Sequence, residues 1–378
     1  CMFFVDGFAK DEIMEKLLEF FYGIQDEDLL RDAHTFSKSC VPYCEVAISG
    51  EEDTIVGQIL SGVWAVFVDG MDQCVLIDQR TYPQRTTSEP DQDKSFRGSR
   101  DGFVETMVFN AALIRRRIRS PRLCVEHLEV GETSRTDVAV CYFEGRADPE
   151  LVNTVRERIA QARVDALTMN QESLAELLVR KRWYNPFPKF KFTERPDAAA
   201  AQILEGDVVV LVDNSPAAII LPTTLFDVME EANDYYFPPI TGSYLRLVRF
   251  FTTFLTTFLT PVWLLLIQEP ERVPGWLEFI LMEEPAQVPP LLQLLILELA
   301  IDGLKLAALN TPNILTTSFS MIGAIILGDF AVQSGWFSAE VMLYMAVVAI
   351  ANYNQPNLEL GYALKFMRLI LLVAPGLL

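Results

Sequence analysis

The 378 residues carry 31 Lys and Arg against 51 Asp and Glu, a formal net charge of −20, and 51% of them are hydrophobic. A chain of this length can bury the cores of two or three ordinary domains. Its acidic surplus repels phosphates, so no nucleic acid is expected as a partner. The average conceals a division. From Arg246 onward there are six basic and ten acidic residues in 133, which leaves −16 of the −20 on residues 1–245.

The first residues, Cys1-Met2-Phe3-Phe4, read as a strand, and the chain stops at Leu378 inside an apolar run. Both ends are therefore expected to be truncations of a longer protein. No basic stretch precedes a short apolar core near the N-terminus, so no signal peptide is read. Phe3-Phe4-Val5 leads into an amphipathic helix from about Lys10 to Phe21. Six cysteines (Cys1, Cys40, Cys44, Cys74, Cys124, Cys141) all precede the hydrophobic part. Cys40 and Cys44 are spaced C-x3-C, but His34 and His127 do not stand at ligand spacing. Neither a metal nor another cofactor is expected, and the thiols are read as reduced and structural.

Two stretches match at an offset of 144 residues. Ile59-Leu60-Ser61-Gly62 leads into Ala65–Asp69 and then Val75-Leu76-Ile77; Ile203-Leu204-Glu205-Gly206 leads into Val209–Asp213 and then Ile219-Ile220-Leu221. Each copy reads as helix end, Gly stop, strand, tight turn, strand, with hairpin chemistry at Asp69-Gly70-Met71-Asp72 and Asp213-Asn214-Ser215-Pro216. Upstream of the second copy, strand Val138–Phe143 precedes a helix from Asp148 to Ala160 with Pro149 in its first turn. Either two similar α/β subdomains or two unrelated ordinary hairpins account for the match.

Between the copies, Asp101 to Arg119 has helical periodicity and Pro121 ends it. Arg115, Arg116, Arg117 and Arg119 wrap around that helix, because adjacent positions differ by about 100°. They form a site for an anion or acidic partner, or they pair with carboxylates of their own domain or of a neighbouring subunit.

Leu247 to Ile267 holds 21 residues with one charge, Arg249, which suffices to cross a ~30 Å hydrocarbon layer. Leu364 to Leu378 is a second apolar run, with Lys365 and Arg368 in its first turns. Both runs begin with basic residues, so both are read as starting from the cytoplasmic side. The segments at 288–309, 314–332 and 336–353 are candidates between them, giving about five spans and a cytoplasmic N-terminal domain. In the second, Gln287, Glu298, Asp302 and Lys305 share one helical face among leucines. Ionisable groups at membrane depth mark a water-filled path, pair with a neighbouring helix, or sit on a helix lying in the interface. Glu298, Asp302 and Lys305 are the candidates for such a polar path. In the third, Ser320, Ala324 and Gly328 recur every four residues with Thr316 and suit close helix packing. No Walker, Rossmann or G-x-S-x-G pattern is present and no His neighbours a nucleophile, so no enzyme is expected.

The stretch Gly98–Leu123, GSRDGFVETMVFNAALIRRRIRSPRL, resembles the signature of the GerA family, the A-type subunits of spore germination receptors. Thr193-Glu194-Arg195-Pro196-Asp197, the hairpin Val208–Leu221, Tyr244–Arg249 and Ser320–Ala324 with Gly328 match it in order along the chain. Gly7–Met14 and Asp78–Pro83 are similar to one branch of the family, a paralogue of the nutrient-receptor A subunits. The resemblance implies a multi-pass protein of the inner spore membrane that assists germination without itself binding nutrient. It implies a homo-oligomeric ion channel, a transporter-like B-type partner and a lipoprotein subunit, all in contact with membrane lipid; a non-conducting scaffold is the alternative. The signature residues Arg100, Asp101, Glu105, Asn110, Arg115, Arg116 and Arg117 become assembly candidates. The expected layout is a first α/β subdomain at 1–96, a connecting helical segment at 97–137, a second α/β subdomain at 138–240, and an all-α multi-span transmembrane bundle at 241–378.

Overall fold

A computed structural model of the chain describes residues 1–5, 11–25, 32–43, 45–80, 86–90, 98–179, 182–231, 233–282, 287–310 and 331–376. It divides into two compact units, Cys1–Thr86 and Thr87–Leu378. Two β-sheets with flanking helices make up the N-terminal α/β region, and the C-terminal part is helical.

The first unit runs β1 (Met2–Phe3), α1 (Asp11–Tyr22), α2 (Ala33–Ser39), β2 (Val46–Ser49), α3 (Glu52–Leu60), β3 (Trp64–Val66) and β4 (Cys74–Ile77). Its strands pair antiparallel in the order β1-β3-β4-β2. Successive side chains of a strand point to opposite faces. Trp64, Val66, Val75 and Ile77 accordingly pack with Leu17 of α1 and Phe36 of α2, whereas Ala65, Cys74 and Leu76 pack with Ile55 of α3.

In the second unit, α4 (Met107–Arg117) and β5 (Leu123–Val130) come first. Next are β6 (Thr136–Phe143), α5 (Pro149–Ala160), α6 (Asn170–Leu178), β7 (Lys191–Thr193), α7 (Pro196–Glu205), β8 (Val208–Val212) and β9 (Ala218–Leu221). The sheet order is β5-β6-β8-β9-β7. One face, with Val138, Val140, Val208 and Val210, is covered by α5 and α6; the other, with Ala139, Cys141, Val209 and Leu211, by α4 and α7.

Four of these five strands repeat the first sheet. The order β6-β8-β9-β7 follows the same chain path as β1-β3-β4-β2, and every neighbouring pair is antiparallel in both. The register repeats too. Ala65 opposes Leu76 and Val209 opposes Ile220; Ala47 opposes Leu76 and Lys191 opposes Ile220. Each of these residues is displaced by the same 144 positions as the sequence match. Gly62 and Gly206, which follow α3 and α7, both adopt left-handed φ angles of +94° and +114°.

One helical expectation is corrected. Asp101–Thr106 is not helical, and α4 begins only at Met107. The Phe103 N–H donates to Glu194 O at 2.8 Å, and both backbone groups of Val104 bond the buried Asn110 amide, at 2.8 and 2.5 Å. These partners hold the segment out of the helix, and Asp213 accepts the Met107 N–H at 2.9 Å to cap the new start.

The helical part comprises α8 (Leu225–Met229), α9 (Asn233–Tyr236), α10 (Pro239–Gln268), α11 (Pro290–Asn310), α12 (Ala339–Tyr353) and α13 (Leu358–Gly376). Among the described residues, α10 is the one helix long and apolar enough to cross a membrane by length and composition. The candidate at 288–309 falls on α11, which contains Glu298, Asp302 and Lys305. That at 336–353 corresponds to the 15-residue α12, and the last begins within α13, after Glu359 and around Lys365 and Arg368. Ser320, Ala324 and Gly328 lie outside the described residues.

Candidate functional site

α10 is built with its polarity reversed relative to a helix of a water-soluble core. Thr256, Thr257 and Thr260 are buried toward the other helices, while Phe250, Phe251, Phe254 and Phe258 are exposed. Thr256 and Thr257 satisfy their hydroxyls by donating back to the carbonyls of Thr252 and Thr253, whereas the buried Thr260 Oγ1 has no hydrogen-bond partner among the described residues. The same inversion holds in α11 and α13: Gln293, Glu298, Lys365 and Arg368 are buried, and Leu292, Leu299, Phe366 and Ile370 are exposed.

Those buried charges meet. Arg368 Nε donates to Glu298 Oε1 at 2.5 Å, and its Nη1 donates to Thr256 O of α10 at 2.5 Å. Lys365 Nζ donates to Glu298 O at 3.2 Å, stands 3.4 Å from Glu298 Oε2, and pairs with the Asp302 carboxylate. Lys305, the third residue of the α11 stripe, lies with its Nζ 4.7 Å from the centroid of the Tyr353 ring. In the orientation that satisfies both its ends, the Asn352 amide accepts from Lys305 at 3.0 Å and donates to Gly361 O at 3.2 Å. Two carboxylates and three cations thus form one interhelical cluster, in which each charge has a partner that offsets its desolvation. The α11 stripe was legible in the sequence; its partners Lys365 and Arg368 had been read only as marks of orientation.

The signature arginines separate into different roles. Arg117 Nη2 donates to both Asp101 carboxylate oxygens at 2.6 and 2.7 Å and to Ser99 Oγ at 2.9 Å, tying the GSRDG loop to the end of α4. Burial works to raise the Asp101 carboxyl, but the bonds from Arg117 and Ser99 hold it below its ordinary range. Arg115 donates to the carbonyls of Ser120 and Leu123 at 2.9 and 2.8 Å, tying the end of α4 to the turn that leads into β5. Asn110 is the buried bridge to Val104. Glu105 is half-buried, and Arg100 and Arg116 are exposed.

A second convergence escaped the sequence reading. Arg195 is fully buried and donates to both Asp197 oxygens at 3.1 and 2.6 Å and to Ser99 O at 3.0 Å. Tyr236 Oη donates to Asp197 in turn. Burial raises the Asp197 carboxyl, yet Arg195 and Tyr236 together carry it below its ordinary value. Two residues before Tyr236, the buried Asp234 accepts from Arg249 Nη1 at 2.5 Å and Nη2 at 3.2 Å. Arg249 also reaches Glu231 at 2.9 Å and Met229 O at 3.1 Å. Gly242 makes the close approach possible: a Cβ there would stand 2.3 Å from Asp234 O. Polar contacts therefore run from the signature loop through the TERPD segment to Tyr236, two residues along the chain from the Asp234 that Arg249 of α10 holds. Arg249, a lone charge in an apolar span, was the signal that could have exposed it.

Among the described residues no group of His, Cys, Asp and Glu is arranged to hold a metal. Burial pushes the Cys74 thiol up to about 11 and that of Cys141 up to about 12, which makes both poor nucleophiles.

Comparison with known proteins places these features in a family. The model of the Bacillus/Clostridium GerA spore germination protein matches residues 1–378. Stage V sporulation protein AF of Bacillus subtilis is 44% identical over 325 residues, covering 86% of this chain and 66% of that protein. Spore germination protein A1 of the same organism is 29% identical over 326 residues, covering 85% of this chain and 67% of that protein. The uncharacterized membrane protein YfkQ of Bacillus subtilis is 26% identical over 370 residues, with 97% and 71% covered. The chain thus spans about two thirds of the length of these relatives. The crystal structure of the N-terminal domain of the A subunit of the Bacillus megaterium spore germinant receptor GerK3 is 34% identical, with a TM-score of 0.27, and covers 33% of this chain and 97% of that one. The match over the full chain, including the GSRDG loop and the TERPD segment, shows that the protein belongs to the GerA family of spore germination proteins.

Proposed function

We propose that the chain is the membrane-embedded part of a germination receptor-type complex, where it forms or gates an oligomeric ion-conducting path that promotes germination. The observation that carries this reading is the polarity of α10, α11 and α13: threonines and charges are buried beside an apolar core, while four phenylalanines of α10 and further apolar side chains of α11 and α13 face outward. In water such an arrangement exposes apolar surface and buries charge, both at a cost; in lipid both costs disappear or are offset. Residues 241–378 act as a bundle of about five spans, with the acidic α/β region on the cytoplasmic side. The partners are further copies of the chain, a transporter-like B-type subunit and a lipoprotein. Glu298, Asp302 and Lys305 line the path, and in the closed state Lys365 and Arg368 hold the two carboxylates.

A second reading rests on the same cluster. Because its charges are paired within one chain, it requires no water, and the protein then serves as a non-conducting scaffold that assembles germination proteins.

Ion release from liposomes separates the two. Full-length protein is reconstituted alone and with a B-type subunit, and compared with Glu298→Gln/Asp302→Asn. Flux that falls or changes selectivity in the variant is the expected result. No flux from protein shown to be inserted and oligomeric overturns the channel and leaves the scaffold.

A further inference from the structure

Between Leu177 and Thr193 the sequence holds five Lys or Arg, five aromatic residues and no carboxylate, inside a chain of net charge −20. Its aromatic residues divide into two pairs and the separate Phe187. Phe190 and Phe192 pack into the core beneath β7. Trp183 is 96% exposed and Tyr184 61%, the two rings edge-on with centroids 6.0 Å apart. Arg182 Nη1 donates to Tyr184 Oη at 3.0 Å, so a guanidinium is held beside the Tyr184 hydroxyl. A Trp at this exposure contributes nothing to the core, and Trp and Tyr are the residues that favour a membrane–water boundary.

The loop is fixed at a definite height. Phe187 packs on Val228 and Met229 of α8 and on Leu360 and Leu364 in the first turns of α13. The Met229 carbonyl accepts from Arg249, near the start of the apolar run of α10. At the same level, the exposed Phe226 of α8 lies against Phe250 of α10, with centroids 5.8 Å apart. Phe187 therefore stands where two apolar helices begin, and four residues, at most about 14 Å of chain, separate it from Trp183.

We propose that loop 182–189 docks on the anionic surface of the membrane that α10 spans. Trp183 and Tyr184 seat in the headgroup layer, and Arg182 faces lipid phosphates. The proposal rests on the membrane reading above. The strongly acidic α/β region is repelled by an anionic leaflet, and this loop supplies a local surface of opposite sign that fixes the region's distance from it.

The test uses the full chain in vesicles of phosphatidylcholine, with and without phosphatidylglycerol. Subtracting the fluorescence of Trp183→Phe isolates Trp183, whose exposed position makes that substitution structurally mild. Acrylamide, an uncharged aqueous quencher, should reach Trp183 less when anionic lipid is present. Arg182→Glu should restore quenching, every lost charge lowering the docking equilibrium by about fivefold. Equal quenching in both vesicles overturns the proposal. So does shielding that survives the charge reversal, or shielding that appears only on adding a second protein, which would mark an acidic protein partner instead. Resistance to alkaline extraction scores insertion separately. A chain lost to alkali overturns the membrane reading and this proposal with it, whereas a retained chain with a water-exposed Trp183 overturns docking alone.

Discussion

Asp207 precedes β8 by one residue, half-buried, with the carboxylates of Glu205 and Asp227 nearby and Lys191 as a weaker opposing charge. Burial first, then its two acidic neighbours, push its carboxyl up from 3.8 to about 6. The folded state therefore holds a proton that the unfolded chain releases at lower pH. The contribution of this group to stability is full below 3.8, falls as pH rises from 3.8 to about 6, and is constant above that. Asp101 and Asp197 act with the opposite sign and outside this window, since their lowered values make their contributions present above 3.8 and lost below it. Chemical unfolding of the full chain in detergent, followed across the window, should show stability declining with pH, and Asp207→Asn should flatten the decline. An unchanged slope in the variant would assign it to other groups. None of this was visible in the sequence, where Asp207 is one acid among many. Its value depends on Asp227, which the fold brings near from twenty positions away.

The elements divide by how local their causes are. Both hairpins, the 144-residue repeat and α5 were legible because turn residues, glycine stops and a first-turn Pro act within a few positions. The start of α4 was misread because it is decided at a distance, by Glu194, Asp213 and the Asn110 side chain. Likewise the charged face of α11 announces itself by its period, but its partners are on α13, more than sixty residues later. Pairing between those two helices is testable as a cycle. Glu298→Leu alone leaves Arg368 buried without its main carboxylate, and Arg368→Leu leaves Glu298 with Lys365 only. Each single change should cost about 3–5 kcal/mol, and the double change should recover most of that loss. Thermal unfolding in detergent measures all four proteins. Additive losses in the double variant would mean that the contact between the two side chains carries no coupling.

At the scale of the whole second unit, the question is how the α/β region acts on the helices. The polar chain from Asp101 through Arg117, Ser99, Arg195, Asp197 and Tyr236 ends two residues from Asp234, and Asp234 is held by Arg249 of α10. Six of these residues (Ser99, Asp101, Arg117, Arg195, Asp197 and Arg249) belong to the sequence stretches that carry the family resemblance, which gives those motifs a physical task beyond packing. They fix the direction in which the chain leaves the α/β region for α10. The close approach at Gly242 is what brings Asp234 and Arg249 together, so it can be perturbed without touching a charge. In Gly242→Ala the added methyl meets Asp234 O at 2.3 Å, and α9 and α10 must separate. Arg249→Gln removes the cation instead and leaves Asp234 buried without its principal partner. Both should raise amide exchange in α8, α9 and the first turns of α10, by about a hundredfold for a loss near 3 kcal/mol. Exchange in β6, β8 and α4 should stay within a few-fold of the unmodified chain, because their core is built from other residues. Ion flux or germination activity should fall in both variants even though neither touches Glu298 or Asp302. Should exchange rise as expected while activity stays intact, the junction is a structural anchor only. In that case the α/β region influences the helices by another route.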